Sequence, residues 1–502
     1  MKRKFLILLL SLVTAICCVF GLTACTDINS STGSNNGNNT GGNEPEEPEG
    51  PKVPELELPS SKAETLLDYK TETEILTDEK GETVKDENNQ PVTAKYIAIT
   101  GIGKETKTDI VIPATINKTP VKVIADGAFT GKKNLTSVTF AKDSNLTTIG
   151  ENAFTNCNGI TTISLPATLT TVGTSAFRNC TKLVSVDFGE KPAVKVEPEE
   201  GKDEPEALEG EPEEGQGAPE EGKGESGAVK SKLTAISVSM FEGCSKLTSI
   251  TIPESVKTIG EDAFTSCIAL TDVELGIGVQ TLGKRAFRGC TALKTLDLTS
   301  ATSLTNINDR AFEGNTALDK IIIPNSVQNI GKNQLAGCTA LNYISVPFLG
   351  SSRTSASDAC FGYLFGAENY SDNNDVLRDL AGKSITVKVS DVTDKAPIRF
   401  GAFYNVKGVA TIIIEGTMTT LEEKAFGVAP DGVSYVLPET LSRIEAGAFA
   451  MTTIGKIFFA GEQSRWRSVV SSAGADNANL STVTAYCFGS WHYDEYGNPQ
   501  AN

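Results

Sequence analysis

The chain of 502 residues has a single histidine, His492, and it stands ten residues from the C-terminus. That scarcity excludes a Ser-His-Asp triad or a histidine-spaced metal site in the body of the chain, and no nucleophile motif replaces them. Positive charge is also short. Lys and Arg number 45 against 63 Asp and Glu, for a formal net charge of −18. Such a balance argues against nucleic acid or an anionic membrane surface as partner. Gly101 to Lys104 has the wrong spacing for a phosphate loop, and no helical pattern follows it. Residues 26–62 have almost no apolar side chain and cannot bury enough surface to order themselves.

What the sequence has is a repeat. Leu247 to Leu270 reads LTSITIPESVKTIGEDAFTSCIAL, with apolar positions at Leu247, Ile250, Ile252, Val256, Ile259, Phe264, Cys267 and Leu270. The spacing recurs. Phe241, Phe264 and Phe287 are 23 residues apart, as are Phe403, Phe426 and Phe449; Phe154 to Phe177 is also 23, and Phe129 to Phe154 and Phe287 to Phe312 are 25. An Ile, Leu or Val stands five residues before each, as at Ile124, Ile149, Val172, Ile236, Ile259, Leu282, Ile307, Ile398, Leu421 and Ile444. In one further turn Leu335 replaces the Phe, with Ile330 before it. A fixed period of this length specifies a stacked solenoid. Ile250-Thr251-Ile252 alternates as a short strand and Pro253 ends it. Val256 and Ile259 mark a second extended piece, Gly260 a sharp turn, and Glu261-Asp262 the start of a short helical segment. A lone turn leaves both its flat sides wet, so the turns fold only together.

The motif IGEDAFTSC, joined to LxxIxIP, resembles the BspA-like leucine-rich repeats of bacterial surface proteins. The resemblance spans about residues 95 to 460. It implies a right-handed, β-rich leucine-rich-repeat solenoid of about 23-residue repeats, with parallel strands and short helical turns, and a role in adhesion or host-protein binding.

In chain order the expected organisation starts with a signal peptide over 1–24. Lys2, Arg3 and Lys4 precede the apolar run Phe5 to Gly21, which is short for a membrane span. Leu22-Thr23-Ala24-Cys25 resembles a lipobox, which makes Cys25 the lipidation site and the membrane a partner through its acyl chains. A tether (25–62) and an N-terminal cap (63–120) follow. Repeats occupy 121–188, 232–346 and 385–459. Between the first two blocks, 189–231 is an acidic insertion with 14 acidic and 5 basic residues between Gly189 and Lys230. Between the last two, the segment from Pro347 to Ser384 is an irregular insertion whose Phe348, Phe361, Tyr363, Leu364, Phe365 and Tyr370 must pack on something. Residues 460–502 form a C-terminal cap, with a short helix around Trp466, a strand around Val483 and a loose tail from His492.

Of 11 cysteines, six stand three residues after the repeat Phe or Leu: Cys157, Cys180, Cys244, Cys267, Cys290 and Cys338. Side chains on neighbouring turns project side by side rather than converging, so these read as buried free thiols, and not as a metal site. Asn315 takes the same slot in one turn.

For binding, the strand positions between the inward residues form an outward row: Thr139, Ser164, Asp187, Thr251, Glu274, Asp297, Ile322, Ser345, Ile413, Val436 and Phe458. The candidate strip is Asp187, Glu274, Asp297, Ile322, Ile413, Val436 and Phe458. Its later, apolar half is either covered by the aromatic insertion or a neighbouring sheet, or left free as a partner strip. The expected function is binding of an extracellular protein or glycan from a lipid-anchored position on the cell surface, with no cofactor and no turnover. A cell-envelope scaffold and an envelope hydrolase are the alternatives.

Overall fold

A computed structural model describes residues 67–102, 108–189, 230–495 and 497–502. The signal peptide, Cys25, the tether and nearly all of the acidic insertion lie outside the described residues.

A regular repeat contributes two strands, and most strands pair in parallel with their counterpart one turn on. Ser249–Thr251 pairs with Asp272–Glu274, Ile250 opposite Val273. The shorter Thr258–Ile259 pairs with Thr281–Leu282. The two-residue strands stack in order from Ala235–Ile236 to Asn329–Ile330. The longer strands from Thr295–Asp297 to Ala485–Tyr486 form an eight-stranded sheet. The expected parallel solenoid is therefore present.

The third side of each turn differs from the expected short helix. Asp262 and Ser266, two residues before and two after Phe264, have φ of 56° and 62°. The same pair of left-handed positions recurs at Asn152 and Asn156, Ser175 and Asn179, and Lys424 and Val428. Left-handed residues at this spacing exclude α-helix. They aim alternate N–H groups at the next turn instead: Asp262, Phe264 and Ser266 donate to the carbonyls of Lys284, Ala286 and Arg288 at 2.8–2.9 Å. Gly260 also has a different reason from the one its position suggests. Its φ is not positive. A Cβ there would lie 2.7 Å from the Val238 backbone nitrogen of the preceding turn, so the glycine permits close stacking.

The repeat phenylalanines form one buried ladder. Phe129, Phe154, Phe177, Phe241, Phe264, Phe287 and Phe312 stack at centroid spacings of 5.0–6.4 Å, all fully buried. Phe177 meets Phe241 at 5.6 Å although 64 residues separate them in sequence. Two regular turns thus close directly over the point where the acidic insertion leaves and returns.

The aromatic insertion is a degenerate turn of the same stack. The strands on either side of it, Tyr343–Val346 and Ile385–Val392, pair in parallel. Inside it, Phe361 stacks on Phe403 at 5.7 Å and its N–H donates to the Ala402 carbonyl, as those of Phe154, Phe241, Phe264 and Phe287 do to the turn that follows each. Phe348, Phe361, Leu364 and Phe365 are buried in the main core.

At the N-terminal end Leu67–Ile75 pairs antiparallel with Thr93–Ile102. Gly101 lies in that second strand. At the C-terminal end the helix Gln463–Ser472 lies where the sequence placed it and buries Trp466 and Val469. The tail is not loose. Trp491–Tyr493 and Pro499–Ala501 form an antiparallel hairpin, because Trp491 has an apolar surface to settle on.

Candidate binding face

The outward residues of the long sheet stand in strict register. Asp297 lies beside Ile322, Ile322 beside Ser345, Ser345 beside Lys388, then Ile413, Val436, Phe458 and Tyr486. A second row two residues earlier runs Thr295, Lys320, Tyr343, Thr386, Thr411, Ser434. This register is what alternation in a strand requires once the inward positions are fixed by the core.

The face has two halves. From Asp109 to Asp297 its positions are Asp109, Val111, Ser137, Thr139, Thr162, Ser164, Ser185, Asp187, Ser249, Thr251, Asp272, Glu274, Thr295 and Asp297. Apart from Val111 all are hydroxyl or acid, and none is basic. Thr139, Ser164, Asp187, Thr251, Glu274 and Asp297 are exposed. Some acids are held by neighbouring hydroxyls: Ser164 donates to Asp187 Oδ2 at 2.6 Å and Thr251 to Glu274 Oε2 at 3.3 Å. The result is a stripe of outward hydroxyls and carboxylates with no basic residue among its positions.

In the other half the structure corrects the candidate strip. Ile322 is half-buried. Ile413, Val436 and Phe458 are 1%, 3% and 1% exposed and form a small apolar cluster of their own with Tyr486 and Trp491. The aromatic insertion does not cover them; the C-terminal hairpin does. Trp491 packs on Phe458 at 5.5 Å, and its indole N–H donates to the Phe459 carbonyl at 3.2 Å. Thr386 hydrogen-bonds Asn498 at 3.2 Å. Tyr493 packs against Trp491 and hydrogen-bonds Glu415, which pairs with Lys388 at 2.7 Å. Sequence reasoning missed Trp491; the only signal was a Trp, a Tyr and a Gly-Asn-Pro turn close together in the tail.

The cysteine row is internal. Each thiol donates to the carbonyl of the ladder Phe one turn back: Cys157 to Phe129, Cys180 to Phe154, Cys244 to Phe177, Cys267 to Phe241, Cys290 to Phe264 and Cys338 to Phe312, at 3.0–3.3 Å. All eight described cysteines are buried and free. Burial pushes the thiols of Cys157, Cys244, Cys290 and Cys338 up to about 12, so they are protonated donors rather than nucleophiles. Thr452 takes this slot in its turn and donates to Phe426. Among the described residues no group of three or more His, Cys, Asp or Glu could hold a metal ion.

The repeat model described as "BspA type Leucine rich repeat region" matches six copies, over residues 105–195, 228–364 and 386–489. The chain belongs to the BspA-type leucine-rich repeat family. BspA-type proteins are bacterial surface proteins, typically non-enzymatic binding scaffolds. No curated protein matches this chain. Similar solved structures include a leucine-rich repeat protein from Bacteroides ovatus, with 17% identity over 84% of this chain and 98% of that one and a TM-score of 0.35. A leucine-rich cell surface protein from Faecalibacterium prausnitzii shows 19% identity over 80% and 98%, with a TM-score of 0.36. The pneumococcal vaccine antigen PcpA shows 18% identity over 80% and 81%, with a TM-score of 0.31. Among the described residues of this BspA-type chain, no helix is long and apolar enough to cross a membrane.

Proposed function

We infer that this protein is a lipid-anchored binding protein displayed outside the cell, holding an extracellular protein or glycan through the hydroxyl-and-acid half of its sheet face. The observation that carries the reading is the run of outward positions from Asp109 to Asp297, all exposed but Val111 and Ser137, with no basic residue among them. Side chains that stack into the core are committed to shape. Those on this face are free to meet a partner, and their charge favours a cationic one. Cys25 after Leu22-Thr23-Ala24 supplies the anchor, and one acyl chain alone would not hold the protein stably.

The test is a chain carrying Asp187→Lys, Glu274→Lys and Asp297→Lys. Exposed positions of this kind tolerate substitution, so the fold persists. Pull-downs against host-matrix proteins and against purified cell wall are expected to lose whatever the parent chain retains. Equal retention by both chains would exclude the face. Protease shaving of whole cells, expected to release peptides from the repeats, tests display.

A further inference from the structure

Where the turns of Ile307 and Ile330 meet the aromatic insertion, a cleft of about 550 Å³ opens between them. Small-ligand sites occupy about 300–1,000 Å³. We propose that this cleft is a sugar-binding site, which takes a neutral saccharide, the end unit of a glycan, through Lys284, Asn308, Asp309, Ser351, Ser352 and Tyr363.

The walls come from both sides. Ser352 bridges Asn329 antiparallel, and the Ile330 N–H donates to the Ser351 carbonyl at 3.0 Å. The insertion thereby ends the row of two-residue strands and brings two serine hydroxyls to the rim. Its one-turn helix Phe361–Phe365 supplies Tyr363, whose carbonyl accepts the Asn333 N–H at 3.3 Å. Asp309 is held through Oδ1, which accepts the Lys332 N–H at 2.9 Å, and keeps Oδ2 uncommitted.

Tyr363 is the telling group. It lines the cleft and is only 8% exposed, yet its hydroxyl has no hydrogen-bond partner among the described residues. Burial, with Asp358 and Asp309 nearby, pushes that hydroxyl up to about 12, so it remains a donor. Tyr435 also has an unpaired hydroxyl, but that one is sealed from solvent. The Asn308 amide, the Ser351 and Ser352 hydroxyls and the Lys284 ammonium are likewise unpaired among the described residues.

These groups select the ligand. An ammonium and a carboxylate share the cleft, so an anion or a cation would meet a like charge as well as an opposite one. A peptide would need a strand edge to pair with, and Ser352 already takes it. The rest are neutral donors and acceptors, which suit a molecule whose own hydroxyls both donate and accept. A sugar hydroxyl gives Tyr363 the bond that the protein withholds. The cleft lies beside the short strands Asn306–Ile307 and Asn329–Ile330, not on the long sheet face, so it does not rest on the reading of the hydroxyl-and-acid stripe.

Neutral saccharides can come from host glycans or from bacterial wall polysaccharide. Titration calorimetry on the full chain therefore uses lactose and N-acetyllactosamine for the first source, a rhamnose disaccharide for the second, and glucose 6-phosphate as an anionic control. Saturable binding of at least one neutral probe is expected, and which one binds assigns the source. Tyr363→Phe should weaken it about 3- to 10-fold, the loss of one hydrogen bond, without lowering the melting temperature. Asn308→Ala, at an exposed position, should weaken it in the same direction. Binding that neither substitution weakens, binding of glucose 6-phosphate alone, or no binding of any neutral probe overturns the proposal.

Discussion

At the scale of single residues, each position in a turn answers to the turns above and below it. The cysteine slot shows this well. A small apolar side chain would fill the space, but the Phe carbonyl behind it, which already accepts the backbone N–H three residues on (Cys157 to Phe154, Cys244 to Phe241), would lose its second donor, at a cost of about 0.5–1.5 kcal/mol. A thiol satisfies both needs, and Thr452 shows that a hydroxyl does too. Because burial raises Cys157, Cys244, Cys290 and Cys338 to about 12, the fold keeps protons that the unfolded chain releases near pH 8.5. The thiol contribution is therefore whole below that pH and is lost as pH rises toward 12, at about 1.4 kcal/mol per pH unit for each thiol. Denaturant titrations at stepped alkaline pH should show this decline, and Cys267→Ser should make it shallower while costing under about 1 kcal/mol at neutral pH. Tyr435 is the opposite case. It stands where neighbouring strands have Ile412 and Ile457, and its buried hydroxyl has no partner. Tyr435→Phe should stabilise the protein by about 1–2 kcal/mol, read as a higher denaturant midpoint with unchanged slope.

At the scale of elements, the ends of the array matter most. The last ladder residue, Phe449, has no further turn to receive its N–H. Asn477 stands in, accepting that bond at 3.0 Å on Oδ1 and donating to the Glu445 and Ala473 carbonyls. Asn479 completes the imitation by donating to the Phe449 carbonyl, as a thiol does elsewhere. Asn477→Ala should cost about 2–4 kcal/mol. Hydrogen exchange should rise first at Phe449 and its neighbours and leave the turn of Phe264 protected, because repeats couple only to their neighbours. Legibility in the sequence followed the same division. The regular turns were plain, since the Phe spacing and the Ile or Leu five residues before it are imposed by the stack. Phe361 follows Leu335 by 26 residues, close to the period, but Ala356 stands five before it and the pattern is lost. The left-handed pair around each Phe was hidden because Arg285, Lys424 and Val428 occupy it as readily as Asn or Gly do. The apolar outer strip was visible as a row of residues; what covers it was not, because a short polar tail carries its packing in one Trp.

At the scale of the whole molecule, the array is a chain of near-neighbour contacts interrupted at one place without harm. The turn of Phe177 bonds directly to the turn of Phe241, with Ser175 and Phe177 donating to Val238 and Met240 at 2.9 Å. Shortening the insertion until Phe177 and Phe241 are 23 residues apart should leave the melting temperature within about 2 °C, because loop-closure entropy changes only slowly with length. A large loss would mean that the insertion packs on the repeats. The seam has a consequence at the level of the gene. Since equivalent points on two turns are interchangeable in space, a crossover between them in the DNA yields a product that is still in frame with its own core. Lineages of this protein can therefore gain or shed whole coils, or accept unrelated coding text at the junction after Gly189, without having to re-evolve an interior.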